Sequence, residues 1–169
     1  EPNPFIQRLI PINREIVNGQ SVDTTGLLYN AFKGIPIYVI THPKYRLSND
    51  YLYLNTNIKE RLLANYRYEE KQRTLFIIDR PGHTFFYQAI YQSLPFLMFY
   101  SREWSEYYSD KYKELISILI EKQILYYWDQ SDQFILRIKN IVNAKIYPKE
   151  NYKILRNYFF ITGIFDIDA

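Results

Sequence analysis

The sequence predicts an α/β fold with a mainly parallel sheet, and three observations carry that expectation. Residues 74–100 read as an apolar run, a polar turn, an amphipathic segment and a second apolar run, which is the pattern of strand, turn, helix and strand. Apolar runs on both sides of one helix imply parallel strands buried on both faces and joined by a right-handed crossover. Strand-like and helix-like segments alternate along the rest of the chain, so the expected architecture is a Rossmann-like three-layer sandwich. A chain of 169 residues is long enough for one domain with a sizeable core and too short for two large ones, so residues 1–169 are read as one domain.

The elements follow in order. Residues 6–17 alternate in polarity and are interrupted by Pro11, as in an edge strand. Ser21, Asp23, Thr24 and Thr25 offer N-caps ahead of Leu27, Leu28, Ala31 and Phe32, which share a helix face that Gly34 is placed to end. Pro36 leads into a strand at 37–40, residues 44–56 read as a Tyr-rich loop, and 58–66 as a short helix. The central unit is a strand at 74–78, a turn at 79–83, a helix at 84–93 with Phe85, Phe86, Ala89 and Ile90 on one side, and a strand at 95–99. Strands 37–40, 74–78 and 95–99 are expected to be neighbours in one sheet. Residues 110–122 carry Tyr112, Leu115, Ile116, Leu119 and Ile120 at helical spacing, the clearest periodic stretch in the chain. A short strand at 124–128 follows, then a helix from Ser131 or Asp132 to about Asn143 bearing Phe134, Ile135, Ile138, Ile141 and Val142, and a last helix at 149–160 after Pro148.

Composition narrows the chemistry. With no cysteine, the chain has no disulfide, thiolate zinc site or cysteine nucleophile, and two histidines leave little for a histidine metal cluster, so no metal and no cofactor is expected. The net charge of +3 suits an anionic ligand, but basic residues are spread among acidic ones, so nucleic acid is not the expected partner. The 18 Tyr and 11 Phe suit a core poor in small residues better than a base-stacking surface. No apolar stretch reaches the roughly 18 residues of a membrane span, so a soluble, cytoplasmic domain is expected. The first residue is Glu1 and not Met, which leads us to expect a processed, trimmed or excised polypeptide.

The polar residues of interest cluster at expected strand ends. In an open parallel sheet, ligands bind outside the carboxyl ends of the strands. Both histidines fall there: His42, followed by Pro43 with Lys44 and Arg46 nearby, and His83. The turn that holds Asp79, Gly82, His83 and Thr84 opens a helix, whose first amides lack intrahelical acceptors and sit at the positive end of the dipole. Such an entry can hold a phosphate. Thr84 can equally be a plain N-cap, and Asp79 can equally tie Arg80 or the turn in place. Ser101, Arg102 and Glu103 follow the next strand and can line the same pocket. The glycine patterns of a dinucleotide fingerprint and a Walker loop are absent, as is a G-x-S-x-G nucleophile elbow.

The run LFIIDRPGHTFFYQAIYQSLPFLMFYSREW, then an amphipathic helix, then EKQILYYWDQSDQFILRIKNI, resembles the carboxyl-terminal half of bacterial surface-carbohydrate transferases of GT-B architecture. The pair His42-Pro43, about forty residues before His83-Thr84, is similar to the layout of bacterial sialyltransferases and related capsule transferases. The resemblance spans roughly residues 36–143, and departs from the pattern where His83 stands in place of the first Thr of a Thr-Thr pair. It implies that His42, Pro43, His83 and Thr84 bind a nucleotide-sugar donor. It also implies a glycan or glycolipid acceptor, an amino-terminal half not contained in these 169 residues, and work at the inner face of the membrane.

The expectation is therefore a glycosyltransferase donor domain, with His42, Pro43, Arg46, Asp79, Gly82, His83 and Thr84 binding substrate. No catalytic residue is assigned, because the general base is expected in the other half. Two rivals stand beside it. One is a sugar-nucleotide epimerase of the same architecture, which would release free sugar without an acceptor. The other is a non-catalytic binding or scaffold domain, favoured if aromatic side chains fill the pocket.

Overall fold

The computed structural model describes residues 27–28, 30–32, 38–39, 59–60, 74–78, 84–103, 110–144 and 149–161. The chain clusters into two compact units, one of residues 12–71 and one of residues 1–11 with 72–169.

In the first unit, Leu27, Leu28, Asn30 and Ala31 are helical, as expected, and Phe32 is buried. Strand β1, Tyr38–Val39, pairs in parallel with β2, Lys59–Glu60, in a two-stranded sheet. Two expectations are corrected here. Residues 59 and 60 are extended where the sequence predicts a helix, and among the described residues the strand within 37–40 pairs with β2 and not with the strand within 74–78. Lys and Glu favour helix by intrinsic propensity, but cross-strand pairing overrides that weak preference.

The larger unit is α/β with a three-stranded parallel sheet. Strand β3, Phe76–Ile78, leads to helix α1, Thr84–Tyr91, and to strand β4, Phe96–Tyr100. Helix α2, Asp110–Glu121, is followed by strand β5, Leu125–Tyr127, a 3-10 turn at Trp128–Gln130, helix α3, Ser131–Ala144, and helix α4, Lys149–Ile161. The sheet order is β3-β4-β5, with Phe76 opposite Phe96, Ile78 opposite Met98, Met98 opposite Leu125 and Tyr100 opposite Tyr127. Strand β4 is central, and all five of its residues are buried. An all-apolar strand of this kind is stable only when both its faces are covered.

Side chains alternate along a strand, so Phe96, Met98 and Tyr100 share one face and Leu97 and Phe99 the other. On the first face the Phe96 ring meets Phe86 of α1 edge-on at 5.9 Å and Tyr152 of α4 at 5.1 Å. The Tyr152 hydroxyl also accepts from the Phe96 amide at 3.0 Å and donates to the Phe96 carbonyl. On the second face Phe99 stacks flat on Phe134 of α3 at 4.2 Å, and Tyr126 leans on the same ring at 5.9 Å. Helix α3 presents Phe134, Ile138 and Ile141 to the core at the i, i+4, i+7 spacing of one face.

Helix α2 buries Tyr112, Leu115, Ile116 and Leu119, as its periodicity predicts. Ile120, expected on the same face, is instead 41% exposed because it lies at the margin of the stripe in the last turn. Helices α1 and α2 end alike. Ser93 (φ 52°) and Gln123 (φ 55°) are left-handed, and each donates to the carbonyl three residues back, Ile90 and Ile120, at 3.1 and 2.9 Å. The next amides, Leu94 and Ile124, reach back five residues to Ala89 and Leu119, both at 2.8 Å. These are two Schellman caps, and Ala89, Leu94, Leu119 and Ile124 are all fully buried. They turn each helix directly into the strand that follows.

Candidate functional site

The carboxyl edge of the three-stranded sheet is where a parallel α/β domain places its ligand. Three chain segments reach it. The first leaves β3 at Ile78 and enters α1 at Thr84, so Thr84 is the residue that opens the helix, as expected from the sequence. The first amides of α1 belong to Thr84, Phe85 and Phe86, and general helix geometry leaves them without intrahelical acceptors. Of the other sequence-predicted residues, His42, Pro43, Arg46, Asp79, Gly82 and His83 lie outside the described residues.

The second segment leaves β4 at Tyr100 through half-buried Ser101 into a tight turn with exposed Arg102 and Glu103. The third leaves β5 at Tyr127 into the 3-10 turn that carries Asp129 and Gln130. The Gln130 carboxamide oxygen accepts from the Tyr127 amide at 3.0 Å, which closes this turn against the strand end. Asp129 and Asp132 stand in the first turns of the helical segments there, where a carboxylate is favoured by the dipole.

The Arg102 side chain joins segments two and three. Nη2 of Arg102 donates to both oxygens of Asp129, at 3.0 and 3.3 Å, and the guanidinium lies 4.1 Å from the centroid of the Tyr127 ring. Beneath this pair, Tyr100 and Tyr127 meet edge to face at 5.7 Å, and both are buried. Arg102 is a lining residue expected from the sequence, and Asp129 is not. The signal for Asp129 is positional: it stands two residues past β5, as Arg102 stands two past β4.

Away from this edge, several phenols sit in altered surroundings. Burial pushes the pKa of Tyr87 on α1 well above the ordinary tyrosine value. Burial also raises Tyr126, against the smaller opposing effect of the Arg137 charge. Tyr158 on α4 is raised by burial, then by its hydrogen bond to Glu114 of α2 and by that carboxylate's charge. Among the described residues, no group of three or more His, Cys, Asp or Glu is placed to hold a metal ion. No helix among them is long and apolar enough to cross a membrane.

No protein-family model, curated protein or solved structure matches the chain.

Proposed function

We propose that the larger unit is a Rossmann-like, three-layer domain that binds a nucleotide-activated sugar, as the donor half of a GT-B glycosyltransferase making a surface polysaccharide or glycolipid. The observation that carries this reading is the unit β3-α1-β4, in which a helix opens at Thr84 beyond the carboxyl end of a parallel strand. The amides of its first turn and its positive dipole end suit the phosphate of a leaving nucleotide. In the transfer, an acceptor hydroxyl attacks the anomeric carbon and the bond from that carbon to the phosphate oxygen breaks. The nucleotide departs with the electron pair, and the hydroxyl proton passes to a base supplied by the acceptor half. The chain's own part is to bind the donor and stabilise the charge that grows on the leaving phosphate. A thermal-shift series with CMP-, UDP-, GDP- and TDP-sugars tests it, with the free sugars as controls. One nucleotide sugar should raise the melting temperature where its free sugar does not.

One observation favours a second reading, a non-catalytic binding domain. Tyr100 and Tyr127 pack against each other, both buried, at the ends of β4 and β5, so aromatic side chains occupy that part of the carboxyl edge. On that reading no nucleotide sugar shifts the melting temperature. An epimerase would be told apart by release of free sugar without any acceptor.

A further inference from the structure

Among the described residues, Arg102 and Asp129 are a charged pair that the fold brings together at the carboxyl edge, and their geometry is unequal. One guanidinium nitrogen, Nη2, makes both contacts to the carboxylate, and the side chains stay 59% and 63% exposed. An exposed ion pair of this kind contributes little to stability, since water competes for both partners. Each phosphate of a nucleotide sugar carries one negative charge and two unesterified oxygens, a diphosphate carries two such charges, and guanidinium groups pair with phosphate in a forked geometry. The Tyr127 ring, itself buried, supports the guanidinium 4.1 Å from its centroid, a contact separate from the one to Asp129. The cation is thus supported by the ring and paired with a carboxylate that is easily exchanged.

We propose that Arg102 contacts the phosphate of the bound nucleotide, and that Asp129 is its resident counter-ion, displaced when the ligand binds. This rests on the nucleotide-sugar reading above and adds to it a second phosphate contact, from the strand next to the one that feeds α1. Arg102 leaves β4, the direct neighbour of β3 in the sheet, and its guanidinium lies over Tyr127 at the end of β5. Asp129 competes with the ligand and sets how tightly it is held.

The test is calorimetric titration of the protein with inorganic pyrophosphate and with the nucleotide sugars. Arg102→Gln should weaken binding at least tenfold, while Asp129→Asn should tighten it several-fold. The gain is the discriminating result, because a purely structural ion pair gives no change or a loss when broken. In the Arg102→Gln background, Asp129→Asn should give no gain. A gain that persists there would reflect only the general field of a lost carboxylate and would overturn the proposal. If the parent binds a nucleotide sugar and neither single substitution changes its affinity, the ion pair is structural only, and the donor-binding reading stands without it. If the parent binds neither pyrophosphate nor any nucleotide sugar, both fall together.

Discussion

The hydroxyl of Tyr152 lies between the amide and the carbonyl of one residue, Phe96, accepting from the first at 3.0 Å and donating to the second. The stagger of the sheet explains why. Pro95 gives its carbonyl to the Phe76 amide on the β3 side, and the Met98 amide donates to Ile124 on the β5 side at 2.7 Å. Alternation along the strand therefore turns both polar groups of Phe96 toward β5. Strand β5 begins only at Leu125, opposite Met98, so no β5 residue stands across from Phe96. Phe96 is fully buried, and an unmade backbone hydrogen bond there would be costly. Tyr152 supplies the missing donor and acceptor from a helix.

Tyr152→Phe keeps the ring against Phe96 and removes both hydrogen bonds. It should destabilise the protein by about 1–3 kcal/mol, the usual cost of leaving buried polar groups unsatisfied. Urea denaturation should show a lower midpoint with an unchanged slope. A loss below about 0.5 kcal/mol would mean that another group satisfies the Phe96 peptide and that the pairing carries no weight.

Leu119 is fully buried, and its carbonyl accepts from the Ile124 amide in the cap that turns α2 into β5. Leu119→Ala should cost about 2–5 kcal/mol through the cavity it leaves. Ile120→Ala, one residue on and 41% exposed, should cost much less. Equal losses at the two positions would contradict the assigned face of the helix.

Gln123 and Ser93 hold left-handed backbone angles that suit glycine. Gln123→Gly should therefore stabilise the protein by up to about 1 kcal/mol, because the β-carbon strain outweighs the added freedom of the unfolded chain. Gln123→Ala retains the β-carbon and should leave stability close to the parent. If the glycine variant melts lower than the alanine variant, the strain assigned to this turn is absent.

The raised tyrosines predict an alkaline limit. Tyr87, Tyr126 and Tyr158 all have folded pKa values above the ordinary value of about 10. Their contribution is complete below that ordinary value. As the pH rises through it, the unfolded chain gives up protons that the folded chain keeps, and stability falls. Urea midpoints measured from about pH 8 to about pH 11 should decline, and less steeply in Tyr87→Phe, which removes the phenol most strongly affected by burial. Parallel declines in parent and variant would show that Tyr87 does not take part.

These particulars show which parts of the structure could be read in advance. The β3-α1-β4 unit and the buried face of α2 were legible because hydrophobic period and helix length agreed over whole segments. Lys59 and Glu60 were not, because two charged residues carry no strand pattern and only their partners in β1 make them extended. The role of Tyr152 was hidden for a related reason: it depends on where β5 starts relative to β4, a matter of register between strands separated by a helix. Of the site, the helix start at Thr84 was legible from local turn chemistry. The Arg102–Asp129 pair was not, since its residues are 27 positions apart and meet only through the pairing of β4 with β5.

The donor-binding proposal has its most direct test at Thr84, the first residue of α1. A phosphate at the helix opening would take charge-assisted contacts from the first amides and from the threonine hydroxyl, and such contacts exceed a neutral cap in strength. Thr84→Val preserves the shape of the side chain and deletes its donor. If the hydroxyl only caps the helix, the change lowers stability and leaves ligand affinity alone. If it contacts a phosphate, calorimetry with the preferred nucleotide sugar should show at least a several-fold loss, about 1 kcal/mol or more. The two effects are separable because the melting temperature of the unliganded variant reports the cap and the titration reports the contact. Unchanged affinity in a folded Thr84→Val protein would reduce Thr84 to a helix cap, and would leave the transferase proposal without a phosphate contact from this side chain.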